Sequence, residues 1–139
     1  MAGTAHTDAA SLLVRPGEEQ WTEAELDEVR TELESDVTGL NAEIAKAESN
    51  IAERMGGAVA DAGDDPADTA DKTFQREHDL VLTHNARELL AQNERALAHI
   101  AAGSYGMCES CGKAIGKGRL QAYPRATKCV ECKQREERR

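Results

Sequence analysis

Apolar side chains recur along the first half of the chain in a helical rhythm. Leu26, Val29, Leu33, Val37, Leu40, Ile44, Ala47 and Ile51 follow one another at steps of three and four residues. That is a heptad seam with one stutter between Val29 and Val37. The positions between them are largely charged or polar, and no Pro interrupts them. Thr22 followed three residues later by Glu25 has the form of a capping box, flanked by Trp21 and Leu26 at the two hydrophobic-staple positions. The pattern predicts a helix from this box to about Met55, where Gly56 and Gly57 weaken it.

A second helix is predicted after the Gly-rich acidic stretch GGAVADAGDD. Asp65 suits its N-cap, Pro66 its first position and Asp68 its third. Phe74, Val81 or Leu82, Leu89 or Leu90, Leu97 and Ile100 mark its apolar side, with Asn85, Gln92 and Asn93 falling near the seam. Gly103 suits the C′ position that ends it. Each helix would be roughly 50 Å long. Neither buries its stripe alone, so the two are expected to run antiparallel around a short tip. Residues 1–17 are small and polar and are expected to form a flexible N-terminal arm. The organisation expected is therefore 1–17 arm, 18–103 coiled-coil hairpin with an acidic tip near 56–70, and 104–139 a separate C-terminal piece with a short basic tail.

Charge divides the chain at the same boundary. Residues 1–103 carry 22 acidic and 8 basic side chains, net −14, and residues 104–139 carry 4 acidic and 9 basic, net +5. So acidic an arm repels a phosphate backbone, which argues against sequence-specific DNA binding. The 139 residues include only four aromatics, Trp21, Phe74, Tyr105 and Tyr123, which argues against a roomy globular core. No apolar run approaches the ~18 residues of a membrane span. The first 20 residues lack a basic then apolar leader pattern, so a cytoplasmic setting with reduced thiols is expected.

All four cysteines lie in the basic piece. Cys108 and Cys111 form one C-x2-C pair, and Cys129 and Cys132 form another after 17 intervening residues. That spacing suits a four-thiolate zinc site, with Gly112 supplying the positive φ of a tight knuckle. Four thiolates fill a tetrahedral shell, so one structural Zn2+ is expected, holding together a segment too small to have its own core. A redox C-x2-C or a pair of disulfides is the competing reading, but no strand–helix unit surrounds these cysteines. His6, His78, His84 and His99 are not at ligand spacing and read as solvated residues. No nucleophile grouping, Walker loop or dinucleotide fingerprint is present, so no enzyme activity is expected.

The stretch YGMCESCGKAIGKGRLQAYPRATKCVEC resembles the zinc-finger signature of the DksA/TraR family. Tyr105, Gly106, Cys108, Cys111, Gly112, Ile115, Arg119, Leu120, Ala122, Pro124, Cys129 and Cys132 carry it. Upstream, Asp65, Asp68 and Ala70 stand in the family's Asp-x-x-Asp-x-Ala pattern, where periodicity puts the tip. The resemblance implies a mainly α fold: an antiparallel two-helix coiled coil, a four-cysteine zinc finger and a short C-terminal helix. It also implies a monomeric transcription regulator that binds RNA polymerase through the secondary channel. Asp65, Asp68 and Ala70 would then be the tip effectors on promoter complexes. Guanosine tetraphosphate is an effector of some members, which carry cations on the second helix and an Arg before the finger's Pro. Here Gln92, Asn93 and Tyr123 occupy those places, while Lys133 is retained after the last Cys. The alternative to this regulator is a zinc-stapled coiled-coil protein that serves interaction or dimerisation.

Overall fold

The computed structural model describes residues 9–58 and 66–138, without the side chains of 54–58, 66 and 68. A 3-10 turn over Ala9–Ser11 precedes four α-helices: α1 (Glu23–Ala58), α2 (Pro66–Ala102), α3 (Lys117–Ala122) and α4 (Val130–Glu137). Among the described residues the sole β pairing is an isolated bridge between Met107 and Ala114. The fold is mainly α, as the periodicity and the resemblance implied.

Helix α1 begins as its sequence dictates. The Thr22 N–H donates to Glu25 Oε1 at 2.9 Å, and the Glu25 N–H donates back to Thr22 Oγ1 at 3.1 Å. This reciprocal box satisfies two backbone donors that the first turn leaves over. The whole predicted seam from Leu26 to Ile51 is buried or half-buried. The helix runs to Ala58 rather than to about Met55, carrying Gly56 and Gly57 as helical residues. Two glycines at a helix end lower its propensity but do not forbid it.

Helix α2 starts at Pro66, the position its fixed φ favours. Asp65, expected as its N-cap, lies outside the described residues. At the other end Gly103 has φ 78°. Its N–H reaches the Ile100 carbonyl at 3.2 Å, and the Ser104 N–H reaches that of His99 at 2.9 Å. That pair of bonds is a Schellman cap. The expected seam of α2 needs correction. Phe74, Val81, Leu82 and Leu89 are exposed, Phe74 to 70%. The C-terminal part of the seam holds, with Ile100 buried and Leu90 and Leu97 half-buried, but Thr83, Ala86, Asn93 and Ala96 are the other buried positions.

The chain forms two compact units, residues 1–37 with 91–139, and residues 38–90. In the second unit Ile44, Thr83 and Ala86 are buried, and Arg87 pairs with Glu48 across from α2 to α1. The first unit has a true core, contrary to the expectation drawn from the scarcity of aromatics. Leu12, Trp21, Leu26, Leu33, Ala96, Ile100, Tyr105, Ile115 and Leu120 cluster with three of the cysteines. The Trp21 and Tyr105 rings lie 5.9 Å apart at 56°, so half the aromatics sit in this one place.

The N-terminal segment also differs from the flexible arm expected over 1–17. From residue 9 onward it is packed: Ala9 and Leu12 are each 1% exposed and belong to that core. One 3-10 turn places these two residues on the same side, which so short a segment does not advertise.

Candidate metal centre and its supports

The first cysteine pair sits in a tight knuckle. The Cys108 N–H donates to the Lys113 carbonyl at 2.8 Å, and the Gly112 N–H donates to the Cys108 carbonyl at 3.0 Å. Gly112 takes φ 76°, the conformation the spacing called for. The second pair belongs to a helix start. Cys129 is the N-cap of α4, and the Cys132 N–H donates to its Sγ at 3.5 Å. The Ser110 N–H similarly points at Cys108 Sγ, 3.4 Å away. N–H donors and a helix N-terminus both favour the thiolate over the thiol.

The four Sγ atoms lie within 4.8 Å of one another. Zinc–thiolate bonds of about 2.3 Å in a tetrahedron put sulfurs about 3.8 Å apart. Cys111 and Cys129 are 3.8 Å apart and the whole set lies within 4.8 Å, so the four sulfurs are gathered closely enough for one zinc ion. The thiols already differ in acidity. Burial works to raise Cys108, but backbone N–H groups of Cys129, Cys111 and Ser110 outweigh it and bring it to about 6. Cys132 is pushed up to about 12, first by Cys129 and then by burial and the other sulfurs. A cation is the natural counterpart of such a crowded set, since ligation deprotonates each thiol. Cys108, Cys111, Cys129 and Cys132 are thus positioned to bind one metal ion, in keeping with a structural Zn2+. Cys108, Cys129 and Cys132 are buried and Cys111 is exposed.

Sequence reasoning missed the residues that hold this finger in place. Glu18 is the foremost. Its Oε1 accepts from the Lys117 N–H at 2.9 Å, and its Oε2 accepts from the Gly118 N–H at 3.1 Å. It therefore caps the free N–H groups of α3, whose own N-cap, Gly116, makes no side-chain bond. These N–H groups, Lys117 first, hold the Glu18 carboxyl below its usual range against the opposing effect of burial.

Lys117 itself is buried. Its ammonium lies 2.7 Å from Glu25, donates to the Gln20 carbonyl at 3.2 Å and sits 5.7 Å from the Trp21 ring centre. The Glu25 carboxyl is brought down to about 2 by Lys117 first and the Thr22 backbone second. Two glycines of the finger face the N-terminal segment. A Cβ on Gly106 (φ 96°) would lie 3.0 Å from the Leu13 carbonyl, and one on Gly116 (φ 115°) would lie 3.0 Å from Arg15 Cδ. The Tyr105 hydroxyl donates to the Pro124 carbonyl at 2.8 Å, joining two residues of the signature 19 positions apart.

His99 also departs from the solvated role expected of it. Its Nδ1 is 2.7 Å from Ser104 Oγ and its Nε2 is 3.0 Å from Glu109 Oε2, which links the end of α2 to the first knuckle. Burial works to raise the Glu109 carboxyl, but His99, Thr127 and Arg95 more than offset it and leave it lowered. Of the tip residues, Asp65 lies outside the described residues, as does the side chain of Asp68, which falls in the first turn of α2. Ala70 is exposed one turn further on.

Residues 103–138 match the family described as prokaryotic dksA/traR C4-type zinc finger. Over 119 residues, 86% of this chain and 76% of the relative, the chain is 31% identical to the RNA polymerase-binding transcription factor DksA of Escherichia coli K12. It is 41% identical over 75 residues to the protein of the same name from Caulobacter vibrioides NA1000. That match spans 54% of this chain and only about half (53%) of the relative's length. Among solved structures, transcription factor DksA2 from Pseudomonas aeruginosa is similar at a TM-score of 0.66. It is 33% identical, with 84% of this chain and 85% of that one covered. Among the described residues no helix is long and apolar enough to cross a membrane.

Proposed function

The chain belongs to the DksA/TraR family of four-cysteine zinc-finger proteins, and from that premise we propose that it binds RNA polymerase directly and regulates transcription. The observation that carries the reading is the extent of the likeness. It runs over 86% of the chain to a relative named for polymerase binding, and over 84% of the chain to a solved structure at a TM-score of 0.66. Chain-wide likeness of this kind favours the regulator over a coiled-coil protein that merely dimerises.

In this reading the hairpin enters the polymerase secondary channel, and Asp65, Asp68 and Ala70 act at its tip on promoter complexes. The start of α2 at Pro66 supports it, since this puts Asp68 and Ala70 in the opening turns of a helix. The zinc is structural and does no chemistry on a substrate. The reading assigns the chain no enzyme activity, no sequence-specific DNA contact, a monomeric state and the cytoplasm as its setting. It does not extend to guanosine tetraphosphate. A highly charged nucleotide needs convergent cations. At the places in question Asn93 is buried and Tyr123 is uncharged.

The test is a pull-down with purified polymerase followed by in vitro transcription. The wild-type chain is expected to bind and to shift promoter-complex lifetime. Asp65→Asn with Asp68→Asn is expected to keep binding and lose that shift. A wild-type chain that fails to bind polymerase overturns the reading, and a double variant that regulates normally overturns the tip assignment.

A further inference from the structure

Residues 13–16 share with Cys111, Cys129 and Cys132 the lining of a cavity of about 790 Å³ within the first unit. The cavity belongs to the metal centre, and the N-terminal segment supplies part of its wall. Two fixings hold that wall in place. On one side Ala9 and Leu12 are buried in the core that includes Cys108, Cys129 and Cys132. On the other side a turn closes through Gly17 at φ 89°. There the Arg15 N–H donates to Glu18 Oε1 at 2.8 Å, and the Glu18 N–H donates to the Arg15 carbonyl at 3.0 Å. The same Glu18 carboxylate accepts from the first N–H groups of α3, a helix that lies between the two cysteine pairs in the chain. Between these fixings the wall is thin: Leu13, Arg15 and Pro16 are exposed and Val14 is half-buried. A stretch with so little burial opens at lower cost than the core behind it. Cys111 is the exposed thiol of the set, so a competing ligand reaches the centre there first.

We propose that residues 13–16 are a cover over the metal centre, latched by Glu18, and that opening of this cover sets the rate at which the metal is exchanged. Exchange replaces one thiolate at a time, each taking up a proton as it leaves. The incoming donor must occupy the space that residues 13–16 line, where Leu13 and Val14 present aliphatic bulk. Arg15 is packed closely into the finger, since a Cβ on Gly116 would lie 3.0 Å from its Cδ. Glu18 is a positioning residue in this scheme. It acts on the centre through the segment and α3, by the three N–H groups its carboxylate accepts. The cover concerns the metal alone and does not depend on polymerase binding.

The experiment follows transfer of zinc from the loaded full chain to two chelators, free EDTA and EDTA coupled to a large dextran. Glu18→Ala removes the latch. Leu13→Ala trims the cover and keeps the latch. Leu33→Ala weakens the same core at a residue that does not line the cavity. Zinc content and the circular dichroism spectrum before transfer check that each variant folds. Transfer to free EDTA is expected to be at least about tenfold faster from Glu18→Ala, about threefold faster from Leu13→Ala, and within about twofold of wild type from Leu33→Ala. The wild-type chain is expected to discriminate against the dextran-bound chelator more strongly than Glu18→Ala does. Three outcomes overturn the proposal: wild-type rates in Glu18→Ala, equal acceleration by Leu33→Ala, or unchanged discrimination against dextran. Should Glu18→Ala fail to fold, a wild-type rate in Leu13→Ala overturns it. A wild-type chain that holds no zinc overturns the metal assignment, and the cover with it.

Discussion

At the residue scale, the finger is held by side chains distant from it in sequence. Glu18 reaches two N–H groups 99 and 100 positions away, and Gly106 and Gly116 are bare because the N-terminal segment lies against them. Gly106→Ala must therefore meet two penalties, a left-handed φ and a contact with the Leu13 carbonyl. A loss of about 2–3 kcal/mol in unfolding free energy is expected. Denaturant unfolding of the zinc-loaded chain measures it, and a loss under 0.5 kcal/mol would show that the segment yields freely.

Glu25 gives the pH test at this scale. Its folded pKa, about 2, lies below the ordinary 4.5. Such a group adds stability above the unfolded pKa and loses it as pH falls through the folded one. The gap in urea midpoint between wild type and Glu25→Gln should be constant above about pH 5.5, and should narrow below pH 4.5 as the carboxylate is protonated. A gap that widens with acid contradicts the Lys117–Glu25 pairing.

At the element scale, legibility followed the size of the side chains at the contact. The seam of α1 could be read because Leu, Val and Ile mark it, and every predicted position is at least half-buried. The seam of α2 was legible only toward its C-terminal end, at Leu90, Leu97 and Ile100, because Thr83, Ala86, Asn93 and Ala96 form much of the rest while Phe74 and Val81 face outward. Phe74 separates the two descriptions, with Leu33 and Ile100 as buried references. Leu33→Ala and Ile100→Ala, at 0% and 2% exposure, are expected to cost about 2–5 kcal/mol. Phe74→Ser, at 70% exposure, is expected to stay within about 0.5 kcal/mol of wild type. A large loss at Phe74 would restore the pattern read from the sequence.

The finger behaves as an element in the same sense. Cys108, Cys129 and Cys132 belong to its core cluster, so removing the ion leaves crowded thiols where there was a bonded centre. A chelator is expected to abolish amide dispersion over 104–138. Helicity from residues 38–58 and 66–90 should persist, because that unit has its own buried side chains. Unchanged finger spectra after zinc removal would contradict the metal assignment.

At the scale of the whole molecule, charge and metal were legible for one reason and the packed N-terminus illegible for its converse. Cysteine spacing and charge runs are local features of the chain. The seating of Leu12 and Glu18 depends on partners about a hundred residues away, which no periodicity within residues 9–18 encodes. The charge partition then bears on what the molecule binds. A base of net +5 alone would attract a phosphate backbone, but it is joined to residues carrying −14. Part of that +5 is also committed internally, because Lys117 and Lys128 are paired with Glu25 and Glu136. Long-range attraction to DNA depends on the summed field, and at physiological salt screening reduces it further. Labelled duplex DNA in 0.15 M salt is therefore expected to bind more weakly than about 100 μM, the weak end of non-specific affinities. Fluorescence anisotropy measures it directly. Duplex binding tighter than about 10 μM would mean that the finger's cations act apart from the acidic arm, and it would move the proposed partner from protein toward nucleic acid.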